Sequence, residues 1–381
     1  MNPTKHTYFD VAVAGGGLAG LSTAIQLARA GHSVVLVEKN YYPFHRVCGE
    51  YISEESRPFL QQLGVPFKSL QLPEIRKLIV SSPNGKIVNI PLNPGGFGIS
   101  RHLLDGILAG FAKSAGVMLL EGSRVQDVWY DNGNMYLQTS GQLISSQVVV
   151  GSFGKRSRLD LKWKRPFTQD RQGKSSNYIG VKYHIRITQP QDTIALHNFN
   201  DGYCGVSAIE EGNYCLCYLT NANNLGLSNN SIRQMEERIL CRNPLILKLF
   251  DSAEMIWKEP LSISNISFAA KTQVEQHVML AGDAAGMITP LCGNGMSMAL
   301  HGSKLLFQQV DAFLNGKISR QVMEQQYSKQ WRHAFGIRLK AGRIIQEFFG
   351  DPVLSRLLVG LSDKLPGLAA YLVKQTHGKQ F

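Results

Sequence analysis

Short apolar runs and amphipathic stretches alternate along the first third of the chain. Phe9 to Ala14 and Ser33 to Glu38 are compact apolar runs, and residues Leu18 to Ala30 between them carry apolar positions at helical spacing up to Gly31. Runs of this length without polar alternation predict strands buried on both faces, and the three pieces together predict a β-α-β unit. Beyond it, Ser53 to Leu63 predicts a helix, and Ile75 to Pro91 predicts two strands around Ser82-Pro83-Asn84-Gly85, a hairpin turn signal. Ser100 to Ala115 predicts a helix with Ser100 as its N-cap. Strands follow at Val117 to Leu120, Val125 to Tyr130, Met135 to Thr139 and Gln147 to Val150.

The pattern changes in the middle third. Tyr178 to Ile187, Thr193 to Phe199, Tyr203 to Ile209 and Tyr214 to Thr220 read as antiparallel strands joined by polar turns, with helices near Ser231 to Cys241 and Pro244 to Phe250. The chain then returns to a buried strand, Val278 to Ala281, a loop, a helix from Gly295 to Val310 and a helical remainder. The expected fold is α/β. A discontinuous Rossmann-like domain (1–160 and 271–315) receives an inserted, mainly antiparallel β-sheet domain (161–270) that covers a substrate. A C-terminal helical region (316–381) follows.

A chain of 381 residues exceeds what one core usually serves, and 44% hydrophobic with 18% charged residues supplies ample material for two. The net charge of +12 changes the picture more. Half of it lies between Ile318 and Phe381, where ten Lys or Arg face four Asp or Glu. No basic run with interleaved aromatics accompanies it, so nucleic acid is not expected as a partner. A basic amphipathic tail suits contact with a membrane surface or an acyl carrier. Met1 to Asp10 has no apolar signal core, and Val353 to Val373 is broken by Arg356, Asp363, Lys364 and Pro366. A cytoplasmic protein is expected, with peripheral attachment to the inner face of a membrane as a variant. Cys48, Cys204, Cys215, Cys217, Cys241 and Cys292 lack zinc-type spacing and read as reduced thiols; no metal is expected.

The chemistry sits in the punctuation. Gly15-Gly16-Gly17-Leu18-Ala19-Gly20 fits the G-x-G-x-x-G dinucleotide fingerprint between a strand and a helix. Gly15 permits the tight turn, Gly17 lets backbone approach a pyrophosphate, and Gly20 lets helix and strand pack closely. Free N–H groups from Leu18 onward then face the phosphates. Glu38, eighteen residues after Gly20, ends the next strand and can accept from ribose hydroxyls; Lys39 beside it joins the cofactor set.

A second glycine-aspartate loop appears late, at Gly282-Asp283-Ala284-Ala285-Gly286, followed by Gly293-Asn294-Gly295-Met296. It resembles the flavin loop of the p-hydroxybenzoate hydroxylase-fold superfamily, which includes aromatic hydroxylases, flavin halogenases and geranylgeranyl reductases. The resemblance implies FAD, with Asp283 on the ribityl chain and Gly293, Gly295 and Met296 at the flavin pyrimidine end. Arg46-Val47-Cys48-Gly49-Glu50-Tyr51 resembles the Lys/Arg-x-Cys-Gly-Glu stretch of the geranylgeranyl-reductase branch. This places Cys48 near the isoalloxazine ring, as proton donor or as shape element, with Arg46 on the cofactor and Tyr51 as a spare acid. Ser100-Arg101-His102-Leu103-Leu104-Asp105 resembles the family's Ser-Arg-x-x-x-Asp helix start and implies that Arg101 reaches the FAD phosphate or ribityl region. The segment at Arg124-Val125 falls where the fold contacts adenine. At Val150 to Ser157 the third motif carries Phe153 where hydroxylases have Asp, a departure that favours the reductase branch. Tyr203 and Tyr214 are candidates for lining the substrate cavity, or core aromatics.

The resemblance implies an FAD-dependent oxidoreductase acting on a hydrophobic substrate. The leading expectation is reduction or desaturation of a carbon–carbon bond by hydride transfer at flavin N5, with NAD(P)H or another external reductant as electron source. A monooxygenase using NAD(P)H and oxygen is the alternative, and a non-catalytic flavoprotein the third reading.

Overall fold

The computed structural model describes residues 6–169, 176–290, 293–350 and 378–381. Cys292 and the helical expectation for 351–377 lie outside them. Among the described residues the chain forms two sheets, of eight and nine strands.

The first sheet runs in the order Val274–Glu275, Val278–Leu280, Leu143–Gly151, His6–Ala14, Val34–Val37, Met118–Leu120, with the hairpin Val125–Asp131 and Asn134–Thr139 joined to the Leu143–Gly151 strand. Its central pairs are parallel, and the register places Ala14 beside both Val37 and Gly151. Three strands therefore end side by side, and the loops that leave their carboxyl ends converge, as the ligand site of an open α/β sheet requires. Helices Leu18–Arg29, Arg101–Ser114 and Gly295–Leu314 contribute to its core. The doubly covered sheet explains the unbroken apolar runs: Val34–Val37 is buried at every position.

The second sheet runs Glu254–Met255, Ser176–Arg186, Tyr214–Asn221, Gly202–Ala208, Thr193–Phe199, Glu74–Ser81, Ile87–Gly98, Tyr51–Ser53, with Leu261–Ser267 paired to Ser176–Arg186. Three of these strands come from residues 51–98, which the sequence placed in the first domain. Their alternation announces one-sided strands, since Val88, Ile90 and Leu92 are buried between exposed neighbours. Alternation does not name a partner, and the parallel pairing of Glu74–Ser81 with Thr193–Phe199 joins segments more than a hundred residues apart.

Alternation also gives this sheet two faces. Cys204, Val206, Leu216 and Tyr218 point to one, where Met235, Ile246 and Leu249 of two helices cover them. Tyr203, Leu196, Leu219 and Ile90 point to the other, together with Tyr51 and Met287. Met287 belongs to the loop that follows the last strand of the first sheet, so this second face looks toward the first domain.

The C-terminal region is part of the first domain's core. Tyr327, Trp331 and Phe335 of helix Arg320–Gly350 are buried in it, and the Tyr327 hydroxyl donates to Leu280 O at 2.6 Å. No helix among the described residues is long and apolar enough to cross a membrane.

Candidate active site

The glycine-rich turn is held by backbone packing that leaves no room for side chains. Gly15 has φ +107, and a Cβ there would meet Ser152 O at 2.6 Å. A Cβ on Gly20 would meet Gly15 O at 2.1 Å, while Ser152 Oγ donates to Gly15 O at 2.6 Å. Gly17 precedes the Leu18–Arg29 helix without any side-chain cap, so the first-turn N–H groups of Leu18, Ala19 and Gly20 stay open to an anion. The third sequence motif, at Gly151 to Phe153, thus buttresses the first. Phe153 packs against the first core, its ring centre 6.1 Å from that of Trp163.

Two carboxylates and two arginines ring this turn. Glu38 is 4% exposed and accepts from Gly16 N at 2.9 Å, Asn40 N at 3.1 Å and Arg46 Nη2 at 3.2 Å. Asp105, fully buried, accepts from Arg46 Nε at 3.1 Å and takes both forks of Arg101 at 2.8 Å. Arg101 Nη2 lies 3.7 Å from where a Gly17 Cβ would stand, which puts a guanidinium at the mouth of the phosphate turn. Ser123 N bonds Glu38 O at 3.0 Å, bringing the Arg124-Val125 segment alongside the Glu38 corner. Lys39 is exposed just beyond it.

The Gly-Asp loop meets the turn from the other side. Gly282 has φ +61, and a Cβ there would touch the Ala19 methyl at 3.2 Å. Asp283 is half-buried in a small cleft with Gly286, Ile288, Gly295 and Trp331. Gly293, at φ +62, passes against the Tyr51 ring: a Cβ there would lie 2.7 Å from it. Gly295 and Met296 then open the Gly295–Leu314 helix. First-turn N–H groups at this point favour negative charge nearby.

Tyr51 therefore links the Cys-Gly-Glu segment to the second glycine loop. Its side chain is buried and its hydroxyl has no hydrogen-bond partner among the described residues. Burial, with Glu54 and Glu55 close by, raises the phenol above its ordinary value, so it holds its proton at neutral pH. Cys48 is half-buried and packs against the first core, while its carbonyl accepts from Cys215 Sγ at 3.2 Å.

The sequence reading quoted Glu50 but gave it no role; the structure makes it the hub. Glu50 is fully buried at φ 56. It accepts from Lys182 Nζ at 2.5 Å, from His184 Nε2 at 2.6 Å and from Arg101 N at 2.7 Å. Burial would raise its carboxyl, but Lys182 and His184 outweigh this and hold it below its ordinary value. Lys182 is pulled down by burial and lifted more by Glu50, ending above its ordinary value. Trp257 stacks on His184 with ring centres 4.2 Å apart, and His45 stands 4.4 Å from Trp257 and 4.5 Å from His102. Glu50, His184 and Cys215 bring donor atoms within 4.8 Å of one another. The Glu50 oxygens accept from the Lys182 ammonium and the His184 imidazole.

Tyr203 and Tyr214 part company. Tyr203 lies on the face toward the first domain, in the cluster with Tyr51 and Met287. Tyr214 lies on the opposite face, beside Leu216 and Tyr218, and its hydroxyl donates to Gln189 O. It packs the outer core and does not share a face with Tyr203, because its partner Ala208 has the opposite phase from Tyr203 along the Gly202–Ala208 strand.

Uncapped N–H groups at a glycine turn, a carboxylate at the next strand end and a second glycine loop opposite form one continuous cradle for a dinucleotide with a second aromatic end. The family described as FAD binding domain matches residues 8–339. The chain belongs to this family. It is an FAD-dependent oxidoreductase. Among its relatives, "Conditioned medium factor receptor 1" of Dictyostelium discoideum is 25% identical over 360 residues, covering 86% of this chain and 68% of its own length. A digeranylgeranylglycerophospholipid reductase of Methanosarcina acetivorans is 24% identical over 360 residues, covering 90% and 84%. The fold is similar to that of a flavin-dependent brominase, with TM-score 0.77 at 19% identity over 97% of this chain and 93% of that one. It is also similar to a geranylgeranyl bacteriochlorophyll reductase-like protein of Thermoplasma acidophilum, with TM-score 0.73 at 19% identity over 93% and 91%.

In this oxidoreductase the residues present fit FAD. Gly15 to Gly20 would hold the pyrophosphate, Glu38 the adenosine ribose, and Asp283 the ribityl chain. Gly293 to Met296 would face the flavin ring. Asp283→Ala is expected to purify largely without flavin, read from the ratio of 450 nm to 280 nm absorbance; a normal ratio would remove Asp283 from the site. Glu50→Gln breaks a buried pair and is expected to cost about 3–5 kcal/mol at pH 7. Because the folded carboxyl is held below the value of 4.5, its stabilisation is present above that pH and fades as pH falls through the folded value. The melting-temperature gap between wild type and Glu50→Gln should therefore shrink below about pH 4.5. A gap that stays constant into acid would show that Glu50 is not charged in the fold.

Proposed function

We propose that this enzyme reduces, or in the reverse sense desaturates, a carbon–carbon bond of a hydrophobic, lipid-like substrate. The observation that carries the reading is the Tyr51 hydroxyl: buried, protonated and without a hydrogen-bond partner among the described residues, it sits in an apolar cluster beside the second glycine loop. FAD, when bound and reduced by NAD(P)H or another external reductant, would supply a hydride at N5. The chain does the rest. Tyr203, Leu196, Leu219, Ile90 and Met287 offer an apolar surface along which a hydrocarbon lies and from which water is excluded. Hydride addition to one carbon of a double bond leaves the other needing a proton. Tyr51 Oη or Cys48 Sγ supplies it, the two acids within the same turn.

The aromatic at Phe153, packed into the first core, supports the reductase branch over the hydroxylases. The Methanosarcina relative, a digeranylgeranylglycerophospholipid reductase, supports the same class of substrate. Exposed Ile337, Lys340 and Ile344 on the C-terminal helix, with the positive charge of the tail, suit delivery from a membrane surface or an acyl carrier at the inner face of the membrane.

The test is product mass. The reduced enzyme, given a hydrophobic extract with and without air, is expected to yield a product heavier by two hydrogens in both cases. A product heavier by one oxygen, formed only in air, would replace this reading with a monooxygenase. Cys48→Ala and Tyr51→Phe are expected to keep FAD, and the loss of the true acid should lower turnover by roughly 10²-fold or more. Full activity in both variants would show that neither is the acid.

A further inference from the structure

Three consecutive carbonyls of the Gly-Asp loop are each held by a different side chain. Lys271 Nζ donates to Asp283 O at 2.8 Å, Arg165 Nη1 to Ala284 O at 3.1 Å, and Gln273 Nε2 to Ala285 O at 3.1 Å. None of these bonds uses the Asp283 carboxylate. Their donors come from the two segments that cross between the sheets: Arg165 lies on the way to strand Ser176–Arg186, and Lys271 and Gln273 on the way back from Leu261–Ser267.

The clamp is itself anchored. Arg165 is 1% exposed; it also donates to Asp160 Oδ1 at 2.7 Å and to Thr272 O at 3.0 Å. Lys271 donates a second bond to Lys155 O at 2.9 Å, and its ammonium lies 4.3 Å from the Phe167 ring centre. One ammonium thus ties the segment after Phe153 to the Gly-Asp loop. An ordinary loop of this length satisfies its carbonyls with water or neighbouring backbone; three rigid donors in a row fix its backbone instead.

We propose that Lys271, backed by Arg165, is a positioning residue for FAD: it fixes the Gly-Asp loop by its carbonyls and places a cation beside the Asp283 site. The assignment rests on FAD binding and not on the identity of the substrate. Burial lowers the Lys271 ammonium to about 8; Asp283 and Asp160 oppose this, and Arg165 and Lys155 add to it. Glu275, 3.8 Å from Arg165, is the remaining charge at the clamp. A charged donor holds a carbonyl more strongly than a neutral amine. The clamp is therefore at full strength below about pH 8 and weakens as pH rises through it.

The experiment measures FAD release from the purified holoenzyme by dilution and flavin fluorescence, from pH 6.5 to 9.5. Wild type should hold FAD about tenfold less tightly at the upper end than at pH 7. Lys271→Met should bind about tenfold more weakly at pH 7 and show no such pH dependence. Lys271→Arg, which stays charged throughout, should keep wild-type affinity at pH 7 and lose the decline. Wild-type affinity and profile in Lys271→Met would overturn the proposal. So would a wild-type decline in Lys271→Arg, a result that remains decisive even where the methionine variant fails to fold.

Discussion

A carboxylate with no access to water must be matched on every side, and Glu50 is matched by three donors from two parts of the chain. Lys182 and His184 reach it from the second sheet, and the amide of Arg101 reaches it from the start of a first-domain helix. The same residue anchors the turn that carries Cys48 and Tyr51. A buried ion pair does little for net stability, but one that spans a domain boundary fixes geometry, since every misplacement leaves a charge unpaired. Here it ties the second sheet to the start of the Arg101–Ser114 helix.

The glycine turn, the Glu38 strand end and the Ser100 cap were legible in the sequence because each is a local feature. Gly15 is required by its left-handed turn and Gly20 by the approach of Gly15 O, Glu38 stands at a strand end, and Ser100 caps Leu103 N at 3.1 Å. The far half was not. Lys182 and His184 alternate with buried Val181 and Tyr183 on their strand, a pattern that ordinarily marks a solvated face. Only the Arg46–Glu50 segment lying across that face turns them into buried partners, and nothing near either segment announces the crossing. Glu74–Ser81 and Ile87–Gly98 escaped placement for the same reason: their periodicity fixed their type but not their sheet. Tyr214 shows the finer limit, since a strand's phase must be known before a tyrosine can be placed on one face or the other.

The apolar wall and the polar hub share one face of one sheet. Lys182 and His184 occupy the end nearest the Cys-Gly-Glu turn, and Tyr203 and Leu219 the stretch beyond it. The fold itself is shared with a brominase and with a reductase-like protein. The cradle for FAD is set by glycines and strand ends, whereas selectivity is left to whichever side chains the inserted sheet turns toward the ring.

The most direct test of this account is a crystal structure of the FAD-loaded protein with a long-chain hydrocarbon ligand. The account predicts the isoalloxazine ring between the Cys48–Tyr51 turn and the Gly293–Met296 loop, with hydrocarbon density running over Tyr203 and Leu219 within reach of the Tyr51 hydroxyl. A ring placed away from Tyr51, or a ligand on the Tyr214 side of the sheet, would contradict it.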